Sequence, residues 1–237
     1  MEGRKRVAIV QSNYIPWRGY FDLIASVDEF IVLDDVQYTR RDWRNRNRIK
    51  TPQGPQWLTI PVRVSGRYTQ LICETAVDDD SWAERHWEIV RLNYRDASGF
   101  DYAREFVEEL YRTVPGTHLS EINRHFLERI CGQLGVATPL TDSRAYAAEG
   151  TKSDRLIDLC RKANATEYLS GPSAKAYLDE ERFSTAGIAV SWFSYGPYPD
   201  YEQVHPPFEP QVSILDVLLC TGEDARRFVG LPAAPTP

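Results

Sequence analysis

Val7-Ala-Ile-Val-Gln-Ser-Asn-Tyr-Ile-Pro-Trp-Arg-Gly-Tyr-Phe-Asp22 is the stretch that decides the fold class. Val7 to Val10 is a short run of β-branched and small apolar residues, the pattern of a buried strand, and it ends in the polar Gln11, Ser12 and Asn13. From Trp17 onward, Tyr20, Phe21, Ile24 and Val27 fall at helical spacing. Phe30 to Leu33 then reads as a second buried strand, closed by Asp34 and Asp35. Two short apolar strands joined by a helix predict a parallel sheet with a right-handed crossover, and such sheets bind ligands beyond the carboxyl ends of their strands. The expected fold is therefore α/β and Rossmann-like, with a mostly parallel sheet.

Downstream, Trp43 to Lys50 alternates strictly. If it is extended, Arg44, Arg46, Arg48 and Lys50 share one side, and Trp43, Asn45, Asn47 and Ile49 share the other. Thr51 to Gln56 is rich in Pro and Gly and predicts a turn, after which Trp57 to Val64 alternates again. This is an antiparallel hairpin, with Pro61 placing the second strand at an edge or bulge. Helices are expected over Ser81 to Tyr94, Tyr102 to Val114 and Leu119 to Leu134, forming a helical insertion at about 79–135. A further helix over Ser153 to Ala163 leads to strands at Glu167 to Ser170 and Ile188 to Phe193, and Ser213 caps a final helix from Ile214 to Cys220. The expected organisation is one α/β domain over residues 1–230 and a disordered tail over 231–237.

The 237 residues suffice for a sizeable core, and 42% apolar, 26% charged and 12% aromatic content excludes disordered and fibrous classes. A net charge of −6 opposes general attraction to nucleic acid or anionic lipid, so neither is an expected partner and any anion must be bound locally. Cys73, Cys131, Cys160 and Cys220 form no CxxC pair, and the four His show no metal-ligand spacing, so no metal site is expected. Val7 to Val10 is too short for a signal-peptide core or a membrane span. A reduced, cytoplasmic protein is the expectation.

The motifs Val7 to Asp22, Leu33-Asp-Asp-Val-Gln-Tyr38, Trp43 to Lys50, Tyr168-Leu-Ser-Gly-Pro-Ser173, Tyr198-Pro-Asp-Tyr-Glu-Gln203, Pro207-Phe208 and Val212 to Asp216 together resemble the WbqC-like family of bacterial proteins. The resemblance spans nearly the whole chain, with His205 standing where an apolar residue is expected. It implies a role in surface-polysaccharide or natural-product biosynthesis: transfer of an aminoacyl or other acyl group to an amino sugar or similar amine. The implied donor is a thioester on phosphopantetheine, which an acyl carrier protein could present, or an adenylate made with ATP. Trp17-Arg-Gly-Tyr20 also sits where the HxGH signature of nucleotidyltransferase-like folds would sit, but both histidines are missing.

Arg40, Arg41, Arg44, Arg46, Arg48 and Lys50 oppose only Asp42, a local +5 in a chain of −6. Such a row is either an anion site, with guanidinium forks matched to phosphate or carboxylate, or an edge strand that uses charge against aggregation. Trp43 and Tyr38 could stack on a ligand beside it. The two strand ends bring together Gln11, Asn13, Tyr14, Asp34, Asp35, Gln37 and Tyr38, with Trp17 and Tyr20 following. Adjacent acids in a partly dry crevice could supply a general base, or could simply form a turn or balance the Arg row. Candidate catalytic groups are Asp35, Tyr38 and His205, the last in a polar loop before the final helix. Candidate substrate contacts are Gln11, Asn13, Tyr14, Trp17, Tyr20, Asp34, Gln37, Arg44, Asn45, Arg46, Lys50, Gly171, Tyr201 and Gln203. Gly171 could present backbone N–H groups to an anion, or serve a plain turn. Two other functions stay open: a non-catalytic subunit binding nucleotide or phospho-sugar, and direct nucleotidyl transfer.

Overall fold

In the computed structural model, which describes residues 3–231, five parallel strands form the central sheet. They are β1 (Arg6–Val10), β2 (Glu29–Val32), β5 (Leu140–Asp142), β6 (Glu167–Ser170) and β7 (Ala189–Trp192), in the spatial order β5-β2-β1-β6-β7. β1 is central, pairing Val7 to Val10 with Glu29 to Val32 on one side, and Arg6 and Val7 with Glu167 and Tyr168 on the other. The chain builds outward from β1 through β2 to β5, then returns to build β6 and β7 on the opposite side. The order therefore reverses between β1 and β6, the point at which open parallel sheets form a crevice at their carboxyl ends.

Alternation along β1 explains why the sheet is covered on both faces. Ala8 packs into one core with α1 (Arg18–Ala25), α2 (Trp82–Tyr94), α3 (Phe100–Arg112), α4 (Leu119–Gln133) and α7 (Ile214–Thr221). Val7 and Ile9 pack into a second core with α5 (Ser153–Lys162) and α6 (Glu180–Thr185). A strand buried on both faces needs a continuous apolar run, as Val7 to Val10 supplies. Each fully covered Phe, Leu or Ile contributes about 1.5–3 kcal/mol of burial. The three long helices of the insertion and their apolar stripes fall where periodicity placed them. The three-residue strand β5 and the six-residue helix α6 are too short to leave a periodic signal.

The hairpin consists of β3 (Arg46–Thr51) and β4 (Gly54–Thr59), so its turn is Pro52-Gln53 alone, tighter than the sequence suggests. Gly54 adopts φ 102°, a conformation open to glycine, and this lets β4 start early. Extended pairing begins only at Arg46, and Trp43 to Asn45 lie outside the strand. Among the described residues, no helix is long and apolar enough to cross a membrane. Leu231, which the sequence assigns to the tail, is buried in the core, and residues 232–237 lie outside the described residues.

Candidate functional site

The carboxyl end of β1 is fixed before any ligand enters. Asp34 is 1% exposed and accepts hydrogen bonds from Ser12 N (2.8 Å), Ser12 Oγ (2.7 Å) and Ser120 Oγ (2.6 Å). Burial pushes its carboxyl pKa up, and these bonds oppose that rise. Asp34 is thus an internal anchor for the Gln11-Ser12-Asn13 loop and not a contact for substrate. Asn123 Nδ2, on α4, donates to Ser12 Oγ (2.9 Å) and to the Arg44 carbonyl (2.8 Å), locking the loop to the segment before the hairpin. Arg44 completes the clamp. Its guanidinium donates to the Ser12 carbonyl (3.2 Å), Gln11 Oε1 and Asn13 Oδ1.

The turn that follows holds one strained residue. Ile15, β-branched and followed by proline, has φ 36°, a conformation that persists only where its surroundings over-determine it. Asn47 Nδ2 donates to the carbonyls of Tyr14 (3.0 Å) and Ile15 (2.9 Å), and Tyr14 N donates to the Trp43 carbonyl (3.0 Å). The chain then turns into α1, where Gly19 has a specific task. A Cβ at Gly19 would lie 2.5 Å from the Trp17 ring, so only glycine lets the indole rest on the first turn of the helix. Tyr20 Oη donates to the Gln11 carbonyl (2.9 Å).

Above β1, β2 and β6 these residues enclose a cleft of about 400 Å³ at the reversal point. Of the residues expected at the site, Gln11, Asn13, Trp17, Tyr20, Arg44 and Gly171 line it, with Tyr168, Ser170 and Ser173 of the Tyr168–Ser173 motif, and with Lys152, Arg155, Tyr177 and Tyr195, which the sequence did not single out. Arg44, Lys152 and Arg155 give this wall three cations, and among the described residues no carboxylate lines it. Asp35 stands beside it, with its carboxylate accepting from the Arg155 guanidinium and from Ser143 Oγ (2.6 Å). Lys152 caps α5 with φ 52°, ψ −127°, a second strained backbone at the same cleft. The nitrogens Nε of Arg44 and Arg155 are buried and have no hydrogen-bond partner. Beyond Asn13 and Trp17 lies a second depression of about 290 Å³, lined also by Pro16, Trp43, Asn47 and Gln211.

The cationic row does not act as one surface. Arg44, which precedes the strand, reaches the cleft. Arg46 lies over the Trp57 ring (4.1 Å to its centroid) and donates to the Arg41 carbonyl, outside the cleft. Arg48 donates to the Gln211 carbonyl (2.8 Å). Lys50 is buried, with Nζ donating to the Pro207 carbonyl and its backbone N donating to Tyr94 Oη (2.8 Å).

Other expected contacts prove internal as well. Tyr14 is fully buried, its hydroxyl 2.8 Å from His86 Nδ1 and 3.0 Å from Tyr111 Oη. Burial pushes the His86 pKa down to about 4. Tyr38 Oη donates to Asn45 Oδ1 (2.9 Å), and Asn45 Nδ2 donates to the Ile60 carbonyl (2.8 Å), bracing the hairpin. Gln37 donates to the Tyr68 carbonyl (2.9 Å) away from the cleft.

The C-terminal motif is a structural strap. Arg18 is 4% exposed, donates to the carbonyls of Pro199 (2.8 Å) and Phe228 (3.1 Å), and lies 4.9 Å from the Tyr198 ring centroid. Tyr201 Oη (2.6 Å), Gln203 Nε2 (2.8 Å) and Tyr94 Oη (2.6 Å) all donate to the buried Asp216 carboxylate. His205 Nε2 lies 2.9 Å from the Asn93 carbonyl, on the α2 side. Tyr201 and Gln203 thus bind the loop to α7, because a buried carboxylate needs several donors, and His205 binds the same loop to α2. Among the described residues, no group of three or more His, Cys, Asp or Glu is arranged to hold a metal.

The fold is that of an open, parallel-sheet α/β protein with a cleft at its strand-order reversal. The chain belongs to the WbqC-like protein family, whose model matches residues 11–228. It is also 53% identical over 225 residues to an uncharacterized protein of Mycobacterium tuberculosis (strain ATCC 25618 / H37Rv), Rv1507c, covering 95% of this chain and 97% of the relative. No solved structure matches.

Proposed function

We propose that the protein is a biosynthetic transferase that takes a phosphate-bearing, activated acyl or aminoacyl donor in the switch-point cleft and passes the acyl group to an amine. The amine is an amino sugar or a similar small molecule, and an acyl carrier protein is one vehicle for the donor. The observation that carries this reading is the convergence of Arg44, Lys152 and Arg155 on a cleft wall without a carboxylate. Guanidinium and ammonium groups there suit the phosphate of an adenylate or of a phosphopantetheine arm. Ile9, Leu33, Leu156 and Tyr168 supply an apolar wall for the rest of the donor.

In the proposed reaction the neutral amine nitrogen attacks the donor carbonyl. A C–N bond forms, the carbonyl's bond to sulfur or to phosphate oxygen breaks, and thiolate or phosphate leaves with the electron pair. The nitrogen gives up a proton to the leaving group or to water. Asp35 is committed to Arg155 and Ser143, and His205 lies on the α2 side, so neither serves as the base. The same cations that stabilise the departing anion disfavour an ammonium beside them, and so favour the reactive neutral amine.

A second reading has its own observation. Among the described residues, the cleft lining includes neither a carboxylate nor an imidazole, which also suits a non-catalytic subunit that only holds a nucleotide or phospho-sugar. Incubation of the protein with acyl- or aminoacyl-loaded carrier protein, or with aminoacyl adenylate, and a panel of amino sugars separates the two by mass spectrometry. An enzyme-dependent amide supports transfer. Ligand binding without amide from any pair supports the binding subunit.

A further inference from the structure

The depression beside the cleft differs from it in chemistry. Its lining, among the described residues, is Asn13, Pro16, Trp17, Trp43, Asn47 and Gln211: three amides, two indoles and a proline, with no ionisable group. Asn13 and Trp17 belong to both lining sets, so the two spaces are neighbours across one shared wall. The walls are held firmly. Trp17 rests on Gly19 and contacts Tyr195 (5.2 Å between ring centroids), while Trp43 stands 5.2 Å from the Trp57 ring at 42°. Asn47 is 2% exposed and bonded to the strained Tyr14-Ile15 turn. Trp43 itself is 39% exposed, a large apolar ring left open to solvent at the rim.

Rigid indoles offer flat apolar faces, and amides offer both donors and acceptors without charge. A ligand suited to both has an apolar face of C–H groups and hydroxyls around its edge, and carries no phosphate at this position. We propose that this depression is a pyranose subsite, with the sugar ring packed against Trp43 and its hydroxyls meeting the amides of Asn13 and Gln211. This rests on the transferase reading in one respect, since it seats the acceptor sugar across the shared Asn13-Trp17 wall from the cationic cleft. The Asn13 amide, whose Oδ1 is held by Arg44, would touch both spaces and set their separation.

Saturation-transfer difference NMR with the full chain and unphosphorylated methyl pyranosides, including methyl glucosaminide, tests the subsite without any donor. The expected result is transfer to ring C–H protons, with affinity about 10-fold lower in Trp43→Ala and largely restored in Trp43→Phe, the scale of one aromatic contact. Pyrophosphate titration of Trp43→Ala should match wild type, showing an intact fold and cleft. Absence of transfer for every pyranoside, or equal affinity in wild type and Trp43→Ala, overturns the subsite. Pyranoside binding that depends on Trp43, with no amide formed from any donor, leaves the subsite standing and removes the transferase reading.

Discussion

The Arg155 guanidinium, on the first turn of α5, donates to the Asp35 carboxylate just beyond β2, pairing one of the three cations that line the cleft. This contact withdraws the carboxylate best placed to act as a base and fixes a cation next to Lys152. Replacing Asp35 by Asn should therefore keep anion binding or strengthen it a few-fold, because Arg155 loses its anionic partner. Stability should fall by about 1 kcal/mol, since both groups are only partly buried. Calorimetric titration with pyrophosphate, beside a thermal melt, checks both; a loss of affinity of tenfold or more would restore Asp35 to a direct role.

Tyr201 and Gln203 illustrate how a motif can be structural. Tyr201→Phe removes one of three side-chain donors from the buried Asp216 and should cost about 1–3 kcal/mol of stability. Pyrophosphate affinity should stay at the wild-type value, because Tyr201 lies on the strap and not in the cleft. Urea unfolding and the same titration separate this from a substrate-binding role, in which affinity would drop and stability would not.

Gly19→Ala tests the seat of Trp17. On helix propensity alone, alanine should add up to about 1 kcal/mol. The new Cβ would instead meet the indole at 2.5 Å, so the ring must leave its place on the wall shared by both depressions. The expected outcome is no net gain in melting temperature and a change in Trp17 fluorescence, with weaker pyranoside binding.

A pH effect follows from His86. Its folded-state pKa of about 4 lies below the ordinary value of 6.5, because burial opposes the charged ring. The unfolded chain therefore binds more protons between these values, and stability falls as pH drops from about 6.5 towards 4, by up to about 3 kcal/mol. Above pH 6.5 this contribution is constant. His86→Gln, which keeps a hydrogen-bonding side chain beside Tyr14, should flatten the acid limb in denaturant titrations at successive pH values; an unchanged slope would place the acid sensitivity elsewhere.

Much of the sheet was legible because Val7 to Val10 and Phe30 to Leu33 are apolar without a break, and the helical stripes of Trp87, Val90 and Tyr94 or Ile122, Phe126 and Ile130 are long. The first half of the site was legible for the same reason, since Gln11, Asn13 and Trp17 directly follow a strand. Lys152 and Arg155 were not, because they join the cleft only through the crossover from β5 to β6. A trace was present in the chain: cations in the first turn of a helix work against its dipole unless they serve an anion. The Arg row misled because alternation places side chains only where the backbone is extended, and that begins at Arg46. The role of Lys50 depended on the Pro207 carbonyl, 157 residues away, which no local pattern reports.

Calorimetric titration of pyrophosphate into wild type, Lys152→Ala and Arg155→Ala at two salt concentrations asks whether the switch-point cleft holds a phosphate-bearing ligand through Lys152 and Arg155. Saturable binding that weakens with salt and falls by about 1–3 kcal/mol in each variant, the scale of a charged hydrogen bond, is expected. Equal affinity in all three proteins, or no binding to wild type, would contradict it.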